Sequence, residues 1–236
     1  MKIEILFPEL CNLFGDPMNM DYLLRALPDA EAVKTRVKAR PAFADGGVDM
    51  LCLGSMTERA QSLAFDALAP HRERLLALID GGAVFLATGN ALELFGQYIE
   101  DEDGTRHEML GIFNTRAKRK MMDRYNSLYL GKLGETDIVG FKSQFSHSYG
   151  ENGDGLFTTA RGAGLNPEVQ PEGLRRNNFM ATYVLGPLLI LNPPFLKYIL
   201  GLLGAPDAPL PFERAAMDSY ALRLKEFSDP KTGFAY

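Results

Sequence analysis

The sequence has few of the residues that form metal sites, disulfides or nucleotide-binding loops. Its 236 residues include two cysteines and three histidines. Cys11 and Cys52 belong to no CxxC motif and to no Cys/His pattern with zinc spacing. No GxxxxGK[ST] motif, HExxH motif or paired-carboxylate spacing occurs, which disfavours an ATPase or a metalloenzyme on this chain. We therefore expect neither a metal nor a cofactor.

A strong positive charge and an unbroken apolar run of membrane length are also absent. The formal net charge is −5, so we expect no nucleic acid and no anionic membrane as partner. The basic run 116–120 is short, and we interpret it as a solvated loop or strand edge, with an anion or partner contact as the alternative. Residues 182–204 are apolar, but Pro193, Pro194 and Lys197 interrupt them, which favours a buried strand, a turn and a core-facing helix over a membrane span. With no signal-peptide pattern at the N-terminus, a cytoplasmic protein is expected.

The pattern of apolar segments predicts a mixed α/β fold. In the first half, short apolar runs alternate with longer helical patterns, as in the βαβ units that form parallel sheets. The second half has strand-like pieces joined by turns that contain Gly and Asp. The predicted strands are 2–7, 31–39, 49–53, 83–87, 111–120, 126–133, 137–146 and 155–160, and the predicted helices are 18–26, 60–80, 90–95 and 211–227. We predict one domain, 1–236, with a mostly parallel sheet flanked by helices.

The segment after the strand 83–87 has the pattern of a nucleophile elbow. In such an elbow a strand runs through a sharp turn into a helix, whose N-terminus supplies backbone amide donors. The turn residue is normally Ser or Cys, but this sequence has Gly89, which carries no group that could attack a substrate. Thr88 precedes it, and a threonine hydroxyl needs an adjacent base to become a nucleophile.

Six segments, taken together, resemble one known family. FLATGNALELFG at 85–96 resembles the elbow motif L-A-I-C-G-G-Y-Q-L-L-G, and 6–20 resembles the opening L-Y-P-x-L-M-N-x-Y-G-D-x-G-N. LGSMTERAQ, GIFNT, the Gly-Phe at 140 and the TYVLGPLL run near the end of the chain agree in order and spacing. The chain resembles, over residues 1 to about 225, the class I glutamine amidotransferases related to cobyric acid synthase and to the GatD subunit of lipid II isoglutaminyl synthase. The resemblance implies a flavodoxin-like fold.

The same resemblance implies that glutamine hydrolysis is absent. In working relatives a Cys thiolate attacks the glutamine amide, a His moves the proton and backbone amides hold the oxyanion. Gly89 stands at the position of the cysteine, and Leu185 stands at the position of the base. Ser55 and Met56 replace glycines of the oxyanion-side loop. The residues expected to line a vestigial glutamine pocket are Asn12, Asp16, Gly54, Ser55, Met56, Thr88, Asn90, Glu93, Gln144 and Tyr183.

Other readings of the site remain open from the sequence. Cys11, in a loop near the end of the first strand, or Thr88 with Glu93 could support substitute chemistry. Cys52 lies within a strand and is expected to be a core residue. His147 is a candidate for a role at the site.

Family analogy implies a partner, namely an ATP-dependent amide synthetase of the Mur-ligase type, in a cobalamin-like or cell-wall-like setting. The expected function is that of a catalytically degenerate subunit that binds or regulates this ligase. The alternatives are an enzyme with altered chemistry in the same pocket and a module that senses a small molecule such as glutamine or glutamate. Because fold does not fix function, these statements rest on the resemblance.

Overall fold

The computed structural model describes residues 1–151 and 153–234. The strands, in chain order, are β1 (Lys2–Leu6), β2 (Glu31–Thr35), β3 (Met50–Leu53), β4 (Val84–Thr88), β5 (Tyr98–Glu100), β6 (Arg106–Glu108), β7 (Thr115–Arg119), β8 (Tyr125–Leu133), β9 (Thr136–Gln144), β10 (Ser146–Gly150), β11 (Phe157–Arg161), β12 (Pro171–Glu172), β13 (Leu174–Arg176) and β14 (Phe179–Thr182). The helices are α1 (Pro17–Ala26), α2 (Ala42–Asp45), α3 (Glu58–Leu68), α4 (Arg72–Asp80), α5 (Leu188–Leu191), α6 (Pro193–Leu202) and α7 (Glu213–Ser228), with 3-10 turns at Leu13–Gly15, Ala69–His71 and Gly89–Phe95.

The central sheet has six strands in the order β13-β14-β4-β3-β1-β2. All neighbours are parallel except β13, which runs antiparallel to β14. Every residue of β3 and β4 is buried, as expected of parallel strands that are covered by helices on both faces. The prediction of a mostly parallel sheet flanked by helices is confirmed. The loops after β1, β3, β4 and β14 meet at the carboxyl end of this sheet, where sites form in open α/β folds.

The helices after β3 and β4 differ from the sequence prediction in detail. The helical pattern 60–80 forms two helices, α3 and α4, which the short 3-10 turn Ala69–His71 separates. Pro70 lies in this turn, where its missing N–H and its ring would disrupt a continuous α-helix. The segment after the elbow, predicted as a helix start, forms a seven-residue 3-10 helix, Gly89–Phe95.

The second half contains strands joined by turns, as predicted, and these strands form two smaller sheets. Their orders are β10-β7-β5-β6 and β12-β11-β8-β9. The apolar stretch 182–204 begins at the last residue of β14 and continues into α5 and α6, and Pro193 is the first residue of α6. Within residues 1–151 and 153–234, no helix combines the length and the apolar character needed to cross a membrane.

The hydrophobic core lies on both faces of the central sheet. On one face the Phe179 ring packs against Phe85, Phe95 and Phe113, with ring centroids 5.5, 4.8 and 4.9 Å apart. On the other face, α5 and α6 pack buried Leu, Ile and Phe side chains against β1, β3 and β14. These contacts fix the ends of β4 and β14, and thereby the position of the elbow.

Candidate functional site

The turn after β4 leaves no room for a side chain at Gly89. Gly89 has a φ of 59°, in the left-handed region that glycine adopts readily. A β-carbon at this position would lie 2.9 Å from the Ser55 β-carbon, closer still to the Ser55 hydroxyl oxygen, and 3.3 Å from Leu185 Cδ2. Ser55 and Leu185 therefore occupy the space that a side chain on Gly89 would need.

Leu185 is held in place by the backbone of a neighbouring strand. Its N–H donates to the carbonyl of Phe141 at 2.8 Å, and its carbonyl accepts from the N–H of Phe141 at 3.2 Å. The side chain is buried and has no group that could take or return a proton. The position that faces the elbow is thus apolar.

The backbone amides of the loop after β3 already have partners. The Ser55 N–H donates to Asp16 Oδ2 at 2.5 Å, and the Met56 N–H donates to Asn90 Oδ1 at 3.1 Å. Asn90 Nδ2 also donates to the Met56 carbonyl, at 2.8 Å. An oxyanion hole needs donors that point at the developing charge, and neither of these amides is available for that role.

Asp16 lies behind the elbow and connects the loop after β3 to the end of β4 through hydrogen bonds. Its carboxylate accepts from the Thr88 hydroxyl at 2.8 Å and from Asn19 Nδ2 at 3.1 Å, in addition to the Ser55 amide. Burial raises the pKa of Asp16, and the hydrogen bonds from Ser55, Thr88 and Asn19 oppose this rise. The Thr88 hydroxyl is therefore engaged in a hydrogen bond that connects the end of β4 to Asp16.

The vestigial-pocket residues lie around two separate cavities. Asp16, Gly54 and Thr88 line a small cavity of about 60 Å³, which Cys11 also lines. Burial raises the pKa of the Cys11 thiol to about 12, so the reactive thiolate is scarce at neutral pH. Cys52 is buried in β3, as predicted, and it lines the same cavity.

The second cavity lies directly at the elbow and has a volume of about 140 Å³. Gly89, at the position predicted for the nucleophile, is one of the residues that line it. The predicted residues that line it are Ser55, Met56, Gly89, Asn90, Gln144, Tyr183 and Leu185. The residues that sequence analysis missed include Phe14, Glu58, Arg124, Ser143, Phe145 and Ser146. The cavity is therefore narrowed by Ser55, Met56 and Leu185 without being filled.

Glu93 lies behind this cavity, in a buried hydrogen-bond network. It accepts from Tyr183 Oη at 2.9 Å, from Gln61 Nε2 at 2.9 Å and from the hydroxyl of Ser146. Gln61 in turn accepts from Arg119 at 2.6 Å. Burial raises the pKa of Glu93, while the three hydrogen bonds and the charge of Arg119 favour its ionised form. Glu93 thus supports the cavity wall and does not line the cavity.

Gln144 lines the cavity, and its buried side-chain oxygen has no hydrogen-bond partner among the described residues. Its Nε2 donates to the Ser146 carbonyl at 2.6 Å and lies 3.2 Å from His147 Nδ1. These two acceptors fix the amide orientation, and they leave the buried Oε1 unpaired. His147 does not line the cavity, but it orients Gln144. Burial, followed by the charges of two nearby lysines, lowers the pKa of His147 to about 4.

Asn12 is placed apart from both cavities. Its side chain is exposed, and its Nδ2 donates to the Glu9 carbonyl at 3.3 Å. The sequence does carry a signal for Ser146, which lies two residues after Gln144 in the predicted strand 137–146, where alternate residues share a face. No such signal identifies Arg124, which reaches the cavity from the turn between β7 and β8.

The chain is similar to glutamine amidotransferases in sequence and in fold. A curated GatD subunit of lipid II isoglutaminyl synthase (glutamine-hydrolyzing) from Staphylococcus aureus is 27% identical over 173 residues, which cover 73% of this chain and 70% of that protein. The Streptococcus pneumoniae GatD subunit is 25% identical over 202 residues, covering 81% and 76%.

Solved structures support the same fold. A crystal structure of a glutamine amidotransferase aligns with a TM-score of 0.52 at 16% identity, over 86% of this chain and 98% of that chain. One from Thermotoga maritima aligns with a TM-score of 0.54 at 10% identity, over 95% and 97%. The model of the CobB/CobQ-like glutamine amidotransferase domain matches residues 2–192. The chain belongs to the family of CobB/CobQ-like glutamine amidotransferase domains.

Proposed function

We propose that this chain is a glutamine amidotransferase-like subunit that does not hydrolyse glutamine and that binds an ATP-dependent ligase as one domain spanning residues 1–236. The observation that carries the proposal is the occupied space at the elbow, where the Ser55 β-carbon would lie 2.9 Å from a β-carbon at Gly89. A nucleophilic side chain is absent there, and the neighbouring loop would have to move to accommodate one.

Two further observations at the site support the loss of hydrolysis. Leu185, beside the elbow, offers no base, and the amides of Ser55 and Met56 donate to side chains. Acyl transfer needs a nucleophile, a base and oxyanion donors, and losing the nucleophile alone lowers rates by several orders of magnitude. All three requirements fail at the same place, which supports a subunit retained for its shape.

The substitute nucleophiles have little support from the geometry. The Cys11 thiol, with its pKa raised to about 12, is protonated at neutral pH. The Thr88 hydroxyl donates to Asp16 at 2.8 Å, in the small cavity behind the elbow. Neither group lines the larger cavity at the elbow.

The similarity to two GatD subunits supports a ligase partner. Both relatives are described as subunits of lipid II isoglutaminyl synthase, so a partner that forms the amide bond is the natural complement of this fold. In such a complex the chain would stabilise or regulate the ligase, which would take its nitrogen from free ammonia. A cell-wall setting is favoured over a cobalamin one by these names.

The experiment is to co-express the chain with a Mur-ligase-type amide synthetase from the same organism and to isolate the complex. Amide synthesis is then measured with glutamine or with ammonium chloride as the nitrogen donor. We expect a stable complex in which ammonium supports synthesis and glutamine does not. Absence of a complex would contradict the subunit role, and efficient use of glutamine would contradict the loss of hydrolysis.

A second function, binding of a small molecule at the cavity, is favoured by one specific observation. The exposed Arg124 lines the cavity and could bind a carboxylate there. Glutamine and glutamate both carry a carboxylate.

Thermal unfolding with each amino acid tests this alternative. A rise in the unfolding temperature that Arg124→Ala abolishes, without any turnover, would support a sensor module. Arg214→Ala, at an exposed position on α7, is the matched control. No shift with either amino acid would contradict a sensor for these ligands.

A further inference from the structure

The short basic run and the turn that follows it form one exposed face beside the cavity. The burial of β7 alternates, with Thr115 and Ala117 buried and Arg116 and Lys118 exposed. We call this surface the basic face, and it consists of Arg116, Lys118, Lys120, Met121, Met122 and Arg124. The chain as a whole has a net charge of −5, so this local excess of positive charge is an uneven distribution that can attract an acidic partner.

The charges of the basic face are largely unpaired. Among residues 1–151 and 153–234, no carboxylate lies within ion-pair distance of Arg116, Lys118 or Arg124. Lys120 has one distant partner, Asp123, at 3.9 Å. Three cations without carboxylate partners are therefore available to an acidic surface.

Two methionines project from the same face. Met122 is 93% exposed and Met121 is 43% exposed, although most large apolar side chains of the chain are buried. Methionine and arginine are both enriched at protein interfaces. The flexible thioether of methionine can fit irregular recesses. The combination of unpaired cations and exposed methionines fits a protein surface that is acidic and contains an apolar recess.

The aromatic rings near the basic face disfavour a nucleic acid as its ligand. Single-stranded nucleic acids bind by stacking bases on open aromatic faces. Here Lys118 Nζ lies 5.8 Å from the Tyr149 ring centre, and the Arg124 guanidinium lies 4.3 Å from the Phe145 ring centre. In each case one of the chain's own cations already lies over one face of the ring, which leaves less open aromatic surface for stacking.

We propose that the basic face is the surface on which the ligase partner docks, through an acidic patch with a recess that receives Met122. This inference rests on the proposed function. Arg124 and Phe145 also line the cavity at the elbow, so a partner bound here would cover the cavity mouth. The docked ligase would thereby close the former active-site opening.

The test measures the affinity of the full-length chain for a Mur-ligase-type amide synthetase from the same organism. The variants are Arg116→Glu with Lys118→Glu, and Met122→Asp. The control is Arg214→Glu with Lys225→Glu on α7, which has the same change in charge on another exposed surface. We expect each basic-face variant to weaken binding by about tenfold or more, because like charges now meet and an apolar contact is lost. We expect added salt to weaken wild-type binding and the control to bind as wild type does.

The outcomes separate this inference from the proposed function. If the wild type binds and the basic-face variants bind equally well, the docking surface is wrong while the subunit role stands. Loss of binding in the α7 control alone would place the partner on α7 and overturn the inference. If the wild type does not bind the ligase, both proposals fail.

Measurements on the chain alone test two other occupants of the basic face, a second copy of the chain and a nucleic acid. A dimer that dissociates in the Arg116→Glu, Lys118→Glu variant would mean that the face binds a second copy. Binding of a single-stranded oligonucleotide that the same variant abolishes would mean that it binds nucleic acid. Either result would overturn the inference. Because these side chains are exposed, unchanged thermal unfolding confirms that each variant is folded.

Discussion

Ser55 and Gly89 stand so close together that a β-carbon on Gly89 would lie 2.9 Å from the β-carbon of Ser55. Rotation of the Ser55 side chain would move its hydroxyl but not its β-carbon. The overlap is therefore a property of the two backbones, and the loop after β3 would have to shift to relieve it. The loss of a nucleophile and the loss of the space for one are thus coupled in this fold.

The coupling predicts an unusually large effect of a small substitution. Gly89→Ala should lower the free energy of unfolding by roughly 2–5 kcal/mol, through a left-handed backbone penalty and steric overlap. Gly134 is the matched control, since its φ is 57° and no atom lies within 4 Å of its β-carbon position. Gly134→Ala should lower the free energy by only about 1–2 kcal/mol.

Urea unfolding of the two variants measures this difference. Adding Ser55→Gly to Gly89→Ala removes the overlapping β-carbon and should recover most of the stability that the overlap costs. Equal destabilisation at Gly89 and Gly134, with no recovery on removing the Ser55 side chain, would contradict the crowded elbow.

Restoring the two missing groups should not restore catalysis. We expect Gly89→Cys with Leu185→His to release little ammonia from glutamine, because Ser55 still crowds the elbow and the Ser55 and Met56 amides remain occupied. The assay compares this double variant with one that also carries Ser55→Gly and Met56→Gly. Robust ammonia release from the double variant would show that the surrounding site is intact.

A buried ion pair behind the site predicts a strong, non-additive stability effect. Lys142 Nζ lies 3.2 Å from Glu172 Oε1, and both side chains are almost fully buried. Lys142→Met should lower the free energy of unfolding by about 3–5 kcal/mol, because it leaves a buried carboxylate without its cation. Adding Glu172→Gln should recover part of that loss. Additive losses in this double-mutant cycle would mean that the pair is not coupled.

The lowered pKa of His147 predicts that the stability of the fold depends on pH. Burial and the charges of Lys142 and Lys120 lower its pKa in the folded state from 6.5 to about 4, while Asp123 opposes this. As the pH falls, the unfolded chain therefore binds a proton at His147 before the folded chain does. Neutral His147 contributes its full stability above pH 6.5, and this contribution is lost between pH 6.5 and 4.

The measurement compares the free energy of unfolding of wild type and His147→Gln at pH 7.5 and pH 5. The wild type should lose more stability than the variant on acidification. Asp16 and Glu93 have raised pKa values, which act in the opposite direction, so the difference between the two proteins is the informative quantity. An equal loss in both would mean that His147 titrates normally.

The sequence predicted the fold well because the fold depends on local and periodic patterns. Alternating apolar strands and amphipathic helices define the central sheet. The core-facing helix expected in the stretch 182–204 is present as α5 and α6, whereas only Thr182 of the expected strand lies in one. The break between α3 and α4 was missed, although Pro70 marks it. A helical pattern that continues past a proline is ambiguous, because packing decides whether the helix kinks or ends.

The site was predicted in its location but not in its contacts. Five of the ten predicted pocket residues line the cavity at the elbow together with Gly89. Asp16, Gly54 and Thr88 line the small cavity behind the elbow instead, and Asn12 lies apart from both. The overlap between Ser55 and Gly89 depends on the separation of two loops, which no spacing in the sequence reports. Arg124 was missed because the turn that carries it has no periodicity.

The most direct test of the account is the release of ammonia and glutamate from glutamine by the purified chain, alone and with the ligase-like protein added. We predict no turnover above background in either case. Turnover by the wild type would contradict the account. If that turnover disappeared in Cys11→Ala, the nucleophile would have moved to Cys11, and the empty elbow at Gly89 would no longer describe the active site.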